Sequence, residues 1–114
     1  MPRRKEQAEC TVTDHGGARL AFAVDPEVKA SNLKRLRRIE GQIRGIAKMV
    51  EQEKYCADVI VQVASAQEAL RSVARALMRN HLHHCTKHTL ETGDIKQRTE
   101  MYDELLDLIY RHLR

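Results

Sequence analysis

The chain is poor in aromatic residues, proline and glycine, and these scarcities limit the folds open to it. Its 114 residues include no tryptophan, one phenylalanine, three tyrosines, two prolines and five glycines. A core with so few aromatic rings must be aliphatic, and few prolines and glycines leave few turns. Both features favour long packed helices over a β-sandwich. At this length we expect one domain.

The chain also lacks long apolar runs, and it lacks the even number of cysteines that a disulfide framework uses. No run of about 18 apolar residues occurs, so we expect no membrane-spanning helix. Arg3, Arg4 and Lys5 are not followed by an apolar segment, which argues against a secretory signal. The three cysteines are an odd number, which predicts reduced thiols in the cytoplasm rather than a disulfide framework.

Three amphipathic helices are predicted after a flexible N-terminal tail of residues 1–24. Asp25 and Pro26 have the order typical of a helix start, and the first helix should run to about Gln52. The second should run from about Cys56 to Thr89, and the third from about Asp94 to His112. Residues 25–114 are thus predicted to form an all-α domain. The residues expected to be buried are Leu33, Leu36, Ile39, Ile43, Ile46 and Val50 in the first helix, Val59, Val63, Ala66, Leu70, Val73 and Leu77 in the second, and Tyr102, Leu105, Leu106, Ile109 and Leu113 in the third.

The lengths of these helices predict a dimer. The first two helices would be roughly 40–50 Å long, and the third covers only about half of that length. The second helix also has apolar residues on more than one side, so it needs neighbours on two faces. A two-fold dimer through the second helix is the simplest arrangement, and it makes an antiparallel four-helix bundle.

Positive charge is concentrated in the first helix. Residues 27–54 contain eight Lys or Arg and four Asp or Glu, and this excess of four equals the net charge of the whole chain, +4. Such a segment favours nucleic acid as a partner, although a solvated helical face has the same composition. We expect it to contact DNA phosphates, which gives affinity and salt dependence rather than sequence readout. The predicted contacts are Lys34, Arg35, Arg37 and Arg38 of the first helix, joined by Arg71 and Arg75 of the second.

Side chains that bind metals occur at both ends of the second helix. His81 and Cys85 are four residues apart and project from one face, whereas Cys56 precedes His81 by about 37 Å of continuous helix. An antiparallel dimer brings Cys56 of one chain beside His81 and Cys85 of the other. Two thiolates and one imidazole suit Cu(I). Zn(II) normally takes a fourth ligand, which His84 or His88 could supply, so zinc and nickel stay open.

Three motifs taken together resemble a known family. They are LKRLRRIEGQIRGI from Leu33 to Ile46, Y-C-x-D-V from Tyr55 to Val59, and N-H-L-x-x-C from Asn80 to Cys85. Over about residues 26–114 the chain is similar to the CsoR/RcnR family of bacterial metal-sensing repressors. The resemblance implies dimers that assemble to a homotetramer, a dimer of dimers. It implies operator binding without metal and release when the inducer binds. The sequence suggests no nucleophile–base pairing of the kind that would indicate an enzyme.

The ligand pattern within that family indicates the inducer. The Cys-His-Cys pattern of the copper(I) sensors is present, which implies control of copper efflux or resistance genes. Nickel and cobalt sensors carry His at position 85 and add a ligand near the N-terminus, where this chain has Val24. Some nickel sensors nevertheless share Cys-His-Cys, so a nickel- or zinc-responsive repressor stays an alternative, as does a metal buffer or chaperone without a DNA role. The resemblance also implies that Tyr55 and Glu104 hydrogen-bond to the far nitrogen of His81 and orient it.

Overall fold

The computed structural model describes residues 11–13, 19–21 and 23–113. Two short antiparallel strands come first, followed by two long helices, a π-helical turn and two further helices. These elements are β1 (Thr11–Thr13), β2 (Arg19–Ala21), α1 (Pro26–Glu51), α2 (Cys56–His81), the π-helical turn (Leu82–Thr86), α3 (Lys87–Thr92) and α4 (Ile95–His112).

The all-α class is confirmed, with two differences from the predicted elements. The β1–β2 pair lies in the predicted tail, where three-residue strands are too short to produce a recognisable alternation. The predicted second helix, from about Cys56 to Thr89, corresponds to an unbroken helical run from Cys56 to Thr92, but that run contains a π-helical turn between α2 and α3 that was not predicted. Apolar periodicity over a few residues does not distinguish a wider turn from a regular one. Cys10 and His15, which the tail contributes as metal-competent side chains, lie outside the described residues.

α1 ends in a backbone-bonded cap, which is followed by a short connection to α2. The backbone N–H of Lys54 donates to the carbonyl of Met49 at 3.0 Å, and that of Glu53 donates to the carbonyl of Val50 at 3.1 Å. This pair of bonds is the Schellman arrangement, which satisfies carbonyls left open at a helix end. Glu53 occupies its left-handed position, with φ of 52°, where glycine is the usual residue. The connection to α2 is therefore only residues 52–55.

α4 begins with a capping box. The Asp94 carboxylate accepts from the Gln97 backbone N–H at 2.8 Å, and the Gln97 side chain accepts from the Asp94 N–H at 2.9 Å. The helix therefore begins at its N-cap Asp94, as the sequence predicted. The preceding Gly93 is required by close approach, because a Cβ there would lie 2.6 Å from the Thr89 carbonyl oxygen.

The described residues form two compact units. One comprises residues 26–76, that is, α1 and most of α2, and the other combines the residues up to position 25 with those from position 77 onward. The buried apolar residues are Ile39, Ala66 and Val73 in the first unit and Met101 and Leu105 in the second.

Most of the predicted apolar stripes are exposed on the single chain. In α1, Ile39 is 3% exposed, but Ile43 and Val50 are 52% and 62% exposed. The prediction that each whole stripe is buried is therefore wrong for one chain, because each apolar face is wider than its own chain covers. The exposed members of the predicted stripes are Leu33, Leu36, Ile43 and Val50 of α1, Val63, Leu70 and Leu77 of α2, and Tyr102, Leu106 and Ile109 of α4.

None of the helices in the described part combines the length and apolar content that a membrane span requires.

Candidate metal centre and nucleic-acid surface

The first candidate ligand lies at the start of α2. The carbonyl of Tyr55 accepts the backbone N–H groups of Asp58 at 3.0 Å and Val59 at 3.2 Å, so the helix begins directly after it. Cys56, the first residue of α2, is a free and exposed cysteine. Its thiol is accessible to a metal ion or to a second chain. The Tyr55 side chain is 74% exposed, and a role in orienting an imidazole stays a prediction.

The second candidate ligand lies at the other end of the same helix. His81 is the last residue of α2 and is half-buried. The residue before it, Asn80, is only 8% exposed. Its Nδ2 donates to the carbonyl of Ala23 at 2.9 Å, and its Oδ1 accepts from the backbone N–H of Asp25 at 3.0 Å. The chain around Val24 is thereby held against the end of α2 that carries His81.

Cys85 lies in the π-helical turn that follows His81. Its side chain is not among those described, so its closeness to His81 stays a prediction. Turns of this kind are rare and are frequently found at functional sites. No cluster of three or more His, Cys, Asp or Glu side chains able to hold a metal occurs within the described portion of a single chain.

The surrounding polar residues are placed in the same part of the chain. His83 is exposed, and His84 and His88 are half-buried, on the π-helical turn and α3. Glu104 is half-buried on α4. The proposed contact between Glu104 and His81 stays a prediction, as does a ligand role for His84 or His88.

The basic residues of α1 are available to an anionic partner. Lys34, Arg37 and Arg38 are exposed and Arg35 is half-buried. None of these four side chains is paired with an acidic residue in the described ranges. Free guanidinium and ammonium groups on one helix are the groups that phosphate contacts need.

The two arginines predicted on α2 are instead paired with a carboxylate. Arg75 Nη1 lies 3.3 Å from Glu68 Oε1, and Arg71 Nη1 lies 3.6 Å from Glu68 Oε2. All three side chains are more than half exposed. Sequence reasoning missed Glu68, although its spacing of three and seven residues from the arginines places all three on one helical face.

Asn80 was also missed as a buried residue. Its position continues the three-and-four spacing of the α2 stripe after Val73 and Leu77. A polar residue at such a position signals a buried amide that must find hydrogen-bond partners. The sequence motif that contains Asn80 drew attention only to the neighbouring His81 and Cys85.

Comparison with known proteins identifies the family. The profile of the metal-sensitive transcriptional repressors matches residues 28–111, a range that contains every predicted metal and DNA contact. The chain belongs to that family. The prediction drawn from the three sequence motifs is thereby confirmed.

Individual members of this repressor family are similar over most of the chain. The copper-sensing transcriptional repressor CsoR of Bacillus subtilis (strain 168) is 46% identical over 74 residues, which is 65% of this chain and 70% of that protein. The crystal structure of the copper-sensing repressor CsoR with Cu(I) from Geobacillus thermodenitrificans NG80-2 matches with a TM-score of 0.70 and 37% identity, over 81% of this chain and 93% of that one. The nickel-responsive transcriptional regulator InrS matches with a TM-score of 0.60 and 37% identity, over 68% of this chain and 88% of that one.

Proposed function

We propose that the chain is a copper(I)-responsive transcriptional repressor of the cytoplasm, which binds operator DNA without metal and releases it when Cu(I) binds. The observation that carries this proposal is the placement of a free, exposed Cys56 and of His81 at opposite ends of one 26-residue helix, in a metal-sensitive repressor. The genes controlled would be those for copper efflux or resistance. This role requires no catalytic step.

A second chain completes each metal site. A helix of 26 residues is about 39 Å long at 1.5 Å per residue, so its two ends cannot share an ion. The exposed apolar residues of α2 supply the surface for an antiparallel partner. Around a two-fold axis, Cys56 of one chain then joins His81 and Cys85 of the other, twice per dimer. Two such dimers form the proposed homotetramer.

The ligand types fit a soft, low-coordinate ion. Two thiolates and one imidazole are the set that Cu(I) prefers, whereas Zn(II) takes four ligands. The residue held beside the end of α2 by Asn80 is Val24, flanked by the bonded Ala23 and Asp25. Its aliphatic side chain offers no donor atom, so an additional N-terminal ligand of the kind expected for nickel is missing at that position.

The similarity to InrS makes a nickel-responsive repressor the specific alternative. Anaerobic titration of the protein with Cu(I) and with Ni(II), each against a chelator of known affinity, separates the two. We expect one Cu(I) per chain and operator release with Cu(I) only. A ligand-field absorption band from Ni(II), accompanied by operator release, would establish the nickel alternative.

The basic groups of α1 supply the operator contacts. Lys34, Arg35, Arg37 and Arg38 carry no acidic partner among the described residues. Each phosphate contact removed by substitution should therefore lower the slope of log affinity against log salt by about one. A metal buffer or chaperone without a DNA role predicts no such slope.

His81 is the ligand whose loss tests regulation. In the His81→Ala variant, the two thiolates should retain much of the Cu(I) affinity, while operator release is lost because the imidazole no longer connects the ion to its surroundings. The two properties are measured by chelator competition and by DNA-binding anisotropy. Normal release by this variant would show that the coupling does not pass through His81.

A further inference from the structure

The side chain of Asn80 binds the backbone before α1 as a neighbouring peptide group would. Its Nδ2 donates to Ala23 and its Oδ1 accepts from Asp25, at 2.9 Å and 3.0 Å, across 57 and 55 residues of sequence. The amide uses a donor and an acceptor at once, which fixes its orientation. The three-residue segment Ala23–Asp25, which we call the strap, is thus attached to the last turn of α2.

The strap connects two functional parts of the chain through immediate neighbours. Asn80 is followed by His81, the proposed ligand, and Asp25 is followed by Pro26, the first residue of α1. The backbone of His81 and the start of the basic helix are therefore joined by the Asn80 side chain and the two bonds that it makes. The strap itself precedes residues 28–111, which the family profile matches.

The burial of Asn80 makes this attachment suited to transmit a displacement. The Asn80 side chain is 8% exposed, and the two strap residues that it bonds are half-buried, so the Asn80 amide has little access to water as a replacement partner. A buried donor or acceptor that loses its hydrogen bond keeps the full cost of its desolvation. When the backbone at position 81 shifts, moving the strap along with it therefore costs less free energy than breaking the hydrogen bonds between Asn80 and the strap.

We propose that Asn80 is a positioning residue that couples metal binding at His81 to the strap and so to the start of α1. This inference rests on the proposed function and adds a route by which that function is regulated. Asn80 contacts neither the ion nor DNA in this account. Removal of the Asn80 side chain should leave the affinity for Cu(I) and the affinity for operator DNA nearly intact when each is measured alone. It should reduce the effect that binding of Cu(I) has on binding of the operator.

The test uses the full chain and measures operator dissociation constants with and without Cu(I) under anaerobic conditions. We expect Asn80→Ala to keep the metal-free operator affinity and the Cu(I) affinity within about threefold of the wild-type values. The factor by which Cu(I) changes the operator affinity should fall at least about tenfold, which is a large part of the factor typical of allosteric coupling. Asn80→Asp keeps the size of the side chain and an acceptor for Asp25 but lacks the donor to Ala23. Its coupling should be intermediate, and it serves if the alanine variant does not fold.

Asn32→Ala is the matched control. Asn32 is also buried, at 6% exposure, but neither of its amide atoms has a hydrogen-bond partner in the described structure. This variant should retain the coupling of the wild type. Equal losses of coupling in the Asn32 and Asn80 variants would overturn the proposal, since the effect would then be a general one of removing a buried amide.

Amide hydrogen exchange at Asp25 tests the attachment without any metal. The N–H of Asp25 should exchange faster in Asn80→Ala than in the wild type, and unchanged exchange would refute the attachment. Wild-type protein that shows no operator release with Cu(I) would contradict the proposed function. Release that is equal in the wild type and in Asn80→Ala would contradict the role of Asn80 alone.

Discussion

Mixing two defective variants tests whether each metal site is shared between chains. One variant carries Cys56→Ser, and the other carries His81→Ala and Cys85→Ser. A dimer of either variant alone has no site with all three ligands. A mixed dimer has one complete site, because the intact Cys56 of one chain meets the intact His81 and Cys85 of the other.

The expected stoichiometry follows from the length of α2. Its 26 residues extend over about 39 Å, whereas metal–sulfur bonds are about 2.3 Å long, so a complete set within one chain requires the helix to break. Equal amounts of the variants give about half mixed dimers, each with one complete site of two. High-affinity Cu(I) binding should therefore return to about one quarter of the wild-type amount per chain.

The assay is anaerobic Cu(I) titration against a chelator after the chains have been refolded together. The control mixes wild type with a chain that carries all three substitutions. Shared sites predict about one quarter of the wild-type sites in this control, whereas sites within one chain predict about one half. A result of no recovery in the variant mixture and one half in the control would refute the shared site.

Three further substitutions test local parts of the account. Asp94→Ala should lower the free energy of unfolding in urea by about 1 kcal/mol, because it removes the N-cap acceptor of α4; an unchanged urea midpoint would contradict the capping box. Glu53→Gly should raise the free energy of unfolding by about 0.5–1 kcal/mol. The left-handed conformation costs a residue other than glycine roughly 1–2 kcal/mol, and glycine avoids this cost. Glycine also has more conformational entropy in the unfolded state, which offsets part of the gain. Lys54→Gly, at the next position, should instead destabilise. Glu68→Gln should tighten operator binding about two- to fivefold at low salt, since it frees two arginines from a carboxylate. Asp107→Asn, an equal change of charge on α4, should have a smaller effect, and equal effects would show that only net charge matters.

Local signals in the sequence predicted the helices and most of their ends. Asp25-Pro26 and Asp94 mark helix starts because their side chains or ring geometry suit the first turn. The 3–4 spacing of apolar residues predicted α1 and α4 with nearly the observed bounds. It did not predict the π-helical turn at 82–86, because one extra residue in a turn changes only the phase of a pattern that ends soon afterwards.

Contacts between distant parts of the chain were harder to predict. The polar Asn80 in an apolar stripe indicated a buried amide, but its partners lie 55 and 57 residues away, and no local pattern identifies them. The pairing of Glu68 with Arg71 and Arg75 was within reach of helical spacing and was overlooked. Ligand types and their spacing along α2 predicted the candidate metal site, since helix length alone decides which ligands one chain can bring together.

Operator affinity with and without Cu(I) tests the central claim most directly. The DNA next to the gene of the protein, labelled for anisotropy, is titrated with metal-free protein and with protein holding one Cu(I) per chain, without oxygen. We expect Cu(I) to raise the dissociation constant at least about tenfold, within the range typical of allosteric coupling, and the same DNA to weaken Cu(I) binding by the same factor. An unchanged dissociation constant at full Cu(I) occupancy would contradict a copper(I)-responsive repressor.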